Sequence, residues 1–433
     1  MKKLLFLVSL VLIASFMLTA CGPTTTPAPA TQPPATQPPS PTEAPTVAPT
    51  VPPTAAPVTI TIWHMWSGDY LTAIEAVFQQ YMVEHPEVTI ELSQPTDPTA
   101  AMAVAIPAGE GPDIIGWPND QIGTNALNGN IVALDDYGVD LAFLQSTYEP
   151  AAVAGVQWNG KIWALPESQE AIALVYNKAL ASASDFPSNP KDFTDLLAKS
   201  KAYFEAHGIP LFCNQGFPGG DAYHAAALYF SFGVPTYVDD QGTVYLNTPE
   251  ALAASNWLLS VKPYLLKEMS HEICKTALIE GKVAAWWTGP WAIADLENAG
   301  IDYGFVTMGK PFVGIKTLML TKNAVDRDHA AVALDIIEYF TNTANQKAET
   351  LANKTIPANT AAFMDPEVQA LPTIAGFGAN AALGIPMGST PYASAQWGPV
   401  GDAISAIWNG SQTPEVALAA AQTAFEAAIA GMK

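Results

Sequence analysis

The sequence predicts an α/β protein of two domains, each a mainly parallel sheet covered by helices, carried behind a solvated stalk. Three observations predict it. From Val58 onward short β-rich runs alternate with helical ones, the rhythm of parallel sheets with helices on their faces. The span from Val58 to Lys433 is longer than one hydrophobic core organises. Ahead of it, residues 22–57 hold almost nothing but Pro, Thr, Ala, Gln, Ser and Val. Such a stretch stays extended and lacks the apolar side chains that repay the entropy of folding.

The elements follow in chain order. Lys2 and Lys3 give a basic start, Leu4 to Phe16 an apolar run, and Leu18-Thr19-Ala20 small residues directly before Cys21. The run is shorter than the about 20 apolar residues of a membrane span, so residues 1–20 read as a secretory signal peptide. The placement of Cys21 resembles a bacterial lipobox, which predicts a lipid anchor there and a linker over residues 21–57. Val58 to Trp63 alternates as a strand, and Ile74, Val77, Phe78, Tyr81 and Met82 recur at helical spacing. Val88 to Leu92 and Asp113 to Trp117 are further strands. Thr248-Pro249-Glu250 and Thr413-Pro414-Glu415 each offer an N-cap hydroxyl, a proline at the first helical position and an acid in the first turn. In the last helix Val416, Ala420, Phe425 and Ile429 are expected to form the packing face.

Composition narrows the function. With 18 basic and 40 acidic residues the chain carries a net charge of −22, which repels nucleic acid and anionic lipid surfaces. Arg327 is the only arginine. An anion receptor gains from a guanidinium fork, so its scarcity points to a neutral ligand. Six scattered histidines give no metal site, and no cofactor is expected. Cys213 and Cys274 are open to pairing in an exported protein, but spacing alone leaves that undecided.

Open α/β sheets hold ligands beyond the carboxyl ends of their strands. Trp117-Pro118-Asn119-Asp120-Gln121 follows such an end and joins an aromatic ring to three side chains that suit hydroxyl groups. A sugar offers flat C–H faces to aromatic rings and hydroxyls to Asp, Glu, Asn and Gln; a purely structural turn is the rival reading of this loop. Trp286-Trp287-Thr288-Gly289-Pro290-Trp291 places two indoles for burial and a third, Trp291, at the start of a helix. Trp397 lies in the polar loop Ser394 to Pro399, with core packing as its rival role. On residue type alone Glu170 reads as a surface acid.

Several motifs in order then carry a resemblance. Gly111-Pro112-Asp113-Ile114-Ile115, Trp158-Asn159-Gly160-Lys161, Glu170-Ala171 leading to Val175-Tyr176-Asn177-Lys178, Gly289-Pro290-Trp291-Ala292, Lys310 to Gly314 and Ser394 to Trp397 resemble the maltose/maltodextrin-binding proteins of ABC importers, within the first family of extracellular solute-binding proteins. The resemblance runs from about Thr61 to the C-terminus. It implies a two-lobed, periplasmic-binding-protein-like fold with three crossings, near Gln169-Glu170, Phe312 to Lys316 and Met364 to Pro366. The lobes would then be residues 58–169 with 316–364, and 170–315 with 365–433. It implies that Trp117, Asp120 and Glu170 meet the sugar, that Trp291 and Trp397 stack on it, and that Glu170 is no longer a surface acid. Trp66, Asp69, Gln121 and Tyr223 are further expected contacts, with Asp221 beside the last. Where the maltose binders have an arginine, a second aromatic and a further polar contact, this chain has Gln121, Gly398 and Gly401. Asp97 to Ala100 stands in place of their Lys/Glu-rich stretch, and Asp69 lacks a lysine partner.

The resemblance therefore implies a monomeric lipoprotein on the outer face of the cytoplasmic membrane. It would bind a malto-oligosaccharide, or another di- or oligosaccharide, for ABC permeases and catalyse nothing. Two rivals stand beside it: an exported glycoside hydrolase, which needs two carboxylates about 5–9 Å apart across one bond, and a surface sensing or adhesion module.

Overall fold

A computed structural model describes residues 56–432. The signal-peptide reading, Cys21 and nearly all of the linker lie outside the described residues.

The first strand, β1 (Val58–His64), buries Ile60, Ile62 and His64 on one face, as its alternation predicts. The helix Gly68–Glu84 buries Tyr70, Ile74, Val77, Phe78 and Tyr81, one stripe at three- and four-residue spacing. β1 lies between β2 (Val88–Ser93) and β3 (Ile114–Pro118) and runs parallel to both. A small hairpin follows, β4 (Gln157–Trp158) and β5 (Lys161–Ile162), turned by Asn159 and Gly160 at φ of 50° and 72°. An Asn-Gly pair is favoured there because both turn residues need positive φ.

β6 (Leu165–Glu170) belongs to the first sheet, and β7 (Ala173–Asn177) already belongs to the second, between β8 (Ala285–Thr288) and β9 (Tyr303–Val306). The nine-residue β10 (Phe312–Leu320) then returns to the first sheet between β6 and β3, while its first residues pair with β12 (Ile385–Pro386). β11 (Ile356–Pro357) closes the edge beside β6. The first sheet thus reads β11-β6-β10-β3-β1-β2.

Two separate cores make the molecule two-lobed. One gathers Ile60, Phe78, Ile115, Leu318 and Phe340; the other gathers Leu174, Phe212, Tyr229, Trp286, Trp287 and Phe425. Core membership changes between Leu165 and Ile172, again between Phe312 and Ile315, and finally between Ala358 and Val368, with Ile356 reaching across into the second core from the segment between.

Strand direction corrects the sequence reading. Parallel pairing is confined to β1–β2, β1–β3 and β10–β12 among the named strands, whereas β10 runs antiparallel to β3 and β6, and β7 antiparallel to both β8 and β9. The cause is the crossing chain. β10 enters the first sheet from the other lobe and so runs against its neighbours, while β7 leaves the junction that β8 runs toward.

Helix ends show a similar mixture. Thr248 caps its helix by accepting from Ala251 N at 3.2 Å, but the Thr413 hydroxyl makes no such bond. The last helix (Pro414–Ile429) buries Pro414, Ala417, Leu418, Ala421, Phe425 and Ile429. Val416 and Ala420 lie off that stripe, and Val416 is 56 % exposed. Cys213 and Cys274 form a disulfide that joins the strand-like segment beside Trp286 to the helix His271–Ile279. In the Gly-Pro-Asp-Ile-Ile motif, buried Asp113 accepts from Thr61 N and from Arg327, which also bonds the carbonyls of Gly109 and Gly111. The sole guanidinium is therefore committed to the first lobe's frame.

Candidate functional site

Between the lobes lies a cavity of about 500 Å³. The carboxyl ends of β3, β6 and β8 lead into it and deliver Trp117, Glu170 and, one turn later, Trp291. Trp291 follows Gly289, where a Cβ would come within 2.2 Å of the indole. Glycine is thus needed for the ring to fold back over the strand's end. Trp397 opens the helix Trp397–Asn409 on the second lobe. Tyr223, on the helix Ala222–Ser231, joins the rings: its centroid is 6.2 Å from Trp291 and 6.4 Å from Trp397. Trp117, Trp291, Trp397 and Tyr223 are half-buried and all line the cavity.

The remaining expected contacts fall differently. Asp120 and Gln121, expected to face the ligand, do not line the cavity. They are buried on a short turn, where Asp120 Oδ2 accepts from Trp397 Nε1 at 2.8 Å and from Gln121 Nε2 at 2.7 Å. Burial pushes the Asp120 carboxyl up to about 6, against the pull of those two hydrogen bonds. Neighbouring Asn119 ties this turn to the other lobe through Met387 O and Ser389 Oγ. At Gly123, just beyond, a Cβ would lie 2.2 Å from the Thr390 backbone, so glycine lets these segments touch.

Asp69 is exposed at the helix start and accepts from Asn298 Nδ2 at 2.6 Å, outside the cavity lining. Trp66 does border the cavity, but it is 2 % exposed, packs on Phe78 and Phe340, and donates its N–H to Glu167 at 3.2 Å. It is chiefly a core residue. Glu170 is buried at the cavity wall, 3.3 Å from Lys316 Nζ.

Several lining residues carry no sequence motif. Lys316 lies over the Tyr70 ring at 4.1 Å, and only its place at the end of the expected Phe312–Lys316 crossing hinted at it. Lys275 holds Asp295 at 3.3 Å and Glu272 at 2.9 Å. Behind Tyr70 two further acids are buried. Tyr70 donates to Glu167 at 2.7 Å; burial pushes Glu167 up against the pull of Lys316, and burial together with Glu167 pushes Glu349 up to about 8. Both lysines that line the cavity are thus matched by carboxylates.

Comparison with known proteins agrees with this geometry. The family model for bacterial extracellular solute-binding proteins matches residues 76–376. The chain belongs to this family. Among relatives of this solute-binding protein, a maltotriose-binding protein of Pyrococcus abyssi is 29 % identical over 365 residues, covering 80 % of this chain and 77 % of the relative. A galactooligosaccharide-binding protein of Bacillus subtilis is 24 % identical over 73 % of this chain and 77 % of its own. In structure, the maltose/maltodextrin-binding domain from Bdellovibrio bacteriovorus bound to maltotriose superposes with a TM-score of 0.77 at 23 % identity, covering 86 % of this chain and all of that one. That likeness establishes the two-lobed fold. Among the described residues no helix is long and apolar enough to cross a membrane.

Proposed function

We propose that this solute-binding protein is the extracytoplasmic sugar receptor of an ABC importer, taking a malto-oligosaccharide between its lobes and delivering it to membrane permeases. One observation carries the reading: four half-buried aromatic side chains border a cavity whose two lysines are matched by carboxylates. Rings suit the C–H faces of a sugar, and matched charges favour a neutral ligand over an ion. The maltotriose-binding relative supports the α-linked glucose choice. The galactooligosaccharide-binding relative, together with Gln121 and Gly398, supports a second reading in which another oligosaccharide is the ligand.

In this proposal the crossings near Gln169-Glu170, Phe312 to Lys316 and Met364 to Pro366 act as the hinge, dividing the lobes at the boundaries given above. The changes of core membership support them. Opening would break the bonds Asp120–Trp397 and Asp69–Asn298, which join residues of different lobes. The protein would act as a monomer, lipid-anchored at Cys21 on the outer face of the cytoplasmic membrane, and would perform no chemistry on its ligand. A hydrolase is disfavoured because Asp120, which with Glu170 would make up its carboxylate pair, faces Trp397 and Gln121 rather than the cavity.

Calorimetric titration with maltose, maltotriose, trehalose, cellobiose and xylobiose tests the proposal. Binding of maltose and maltotriose alone is the expected result. Binding of a different sugar alone selects the second reading, and no binding across the panel overturns sugar recognition.

A further inference from the structure

The second-lobe wall contains a pair of acceptors that the reading above leaves unused. The helix Ala222–Ser231 begins on Asp221, whose Oδ1 accepts the backbone N–H groups of Tyr223 at 3.1 Å and His224 at 3.2 Å. Its Oδ2 takes His224 Nδ1 at 2.7 Å and Gln215 Nε2 at 3.1 Å. A carboxylate only accepts. The imidazole must therefore carry a hydrogen on Nδ1, and the amide must turn its NH2 toward Asp221. Both constraints leave one atom unused: Oε1 of Gln215, an acceptor, and Nε2 of His224, an acceptor when the ring carries its single hydrogen on Nδ1.

Neither atom has a partner, and neither is reached by solvent. Other unpartnered buried atoms, such as Trp286 Nε1 and Thr373 Oγ1, belong to side chains away from the cavity; among the described residues these two alone belong to its lining. His224 is 4 % exposed, and its ring meets Trp291 edge-on at 5.8 Å. Buried acceptors are ordinarily satisfied, and two held by one carboxylate oxygen beside a stacking ring form a built arrangement.

We propose that, once ligand entry uncovers them, His224 Nε2 and Gln215 Oε1 form a paired-acceptor subsite that reads two hydroxyl groups of a neutral sugar ring lying against Trp291, with Asp221 as the positioning residue that fixes both. The proposal rests on sugar binding. Two acceptors backed by a carboxylate repel an anion, whereas each sugar O–H supplies one donor. Inverting or removing either hydroxyl leaves one acceptor unmatched, so the subsite discriminates between sugars of equal size.

The test uses residues 54–433, which form one compact unit. The five sugars named above are titrated at pH 8, and the tightest binder is carried into His224→Phe and Gln215→Leu. Each variant is expected to weaken binding about tenfold, the scale of one hydrogen bond lost with a stranded donor. Single-deoxy derivatives of that sugar supply a readout that a merely structural role would not move. Two of them should weaken binding to the parent, and each should cost nothing further in the variant lacking its acceptor. Gln215→Leu leaves the Asp221–His224 pair in place and carries the test if His224→Phe does not fold. Variants that bind within twofold of the parent, or deoxy penalties that are the same in parent and variants, overturn the subsite alone. Silence of the parent toward every sugar overturns the subsite and the proposed function together.

Discussion

The two walls of the cavity handle charge in opposite ways. Apart from the Glu170–Lys316 pair at the crossings, the first lobe lines the cavity mainly with rings and hides its acids: Trp66, Tyr70 and Trp117 line the space, while Glu167 and Glu349 lie buried beyond the lining. The second lobe brings its charges to the surface of the cavity, each already engaged, as in Lys275 with Asp295 and Glu272, or Asp221 with His224. Apolar stacking accepts many sugars, whereas oriented donors and acceptors select among them. Under the proposed function, the contrast gives affinity to rings on both walls and selectivity to the second.

The lobes should also differ in stability, because the disulfide lies in the second. Cys213→Ser should cost that lobe about 4 kcal/mol on a chain-entropy scale, read as a shift of the denaturation midpoint monitored on second-lobe residues. An equal loss in both lobes would mean that they unfold as one unit. Next in size, Trp291→Ala and Trp397→Ala should each weaken sugar binding by about 1–3 kcal/mol. Calorimetry on the folded variants checks this, and unchanged affinity in both would remove the rings from the site. Trp66→Phe, by contrast, should lower thermal stability more than affinity, since that indole is a core residue hydrogen-bonded to Glu167.

The hidden acids give a smaller effect with a definite sign. Burial pushes Glu349 up to about 8 from an ordinary value of 4.5. A group whose folded-state value is raised stabilises most below pH 4.5, and that contribution is lost as pH rises through 8. Glu349→Gln should therefore remove part of the decline in melting temperature between pH 4.5 and 9 and be the more stable protein at pH 9. A parallel pair of melting curves would show instead that Glu349 is not the buried acid responsible. The smallest expected change is at the rim, where Asp69→Ala should alter sugar affinity by less than about twofold, as exposed polar contacts contribute little; a larger loss would make the Asp69–Asn298 bond a latch.

Much of the aromatic site was legible in the chain. Trp117 stands at the end of a strand, and local pattern alone made its loop a candidate; the Gly-Pro break set Trp291 at a helix start, and the family resemblance gave it a ligand-facing role. Trp397 needed the family resemblance to separate it from a core residue. Of the polar wall only Asp221 was singled out; Gln215, His224, Glu272, Lys275 and Asp295 were not legible, because they come from separate segments that share no motif. Asp120 shows the same gap from the other side. Its loop was recognised, but its partner is an indole 277 residues away.

By itself the sequence determined the periodic faces of β1 and the Gly68–Glu84 helix, the place of Trp117 at a strand's end, and the bias toward a neutral ligand from a single arginine. These follow from residue type and spacing, which act over one turn or one strand. Only the tertiary structure decided that β10 runs against β3 and β6, that Cys213 meets Cys274, that Asp120 turns to Trp397, and that the His224 and Gln215 side chains converge on Asp221. Each of those depends on which distant segments the two cores bring together. Hydrogen bonds and desolvation act over a few ångströms of space, whatever the separation along the chain.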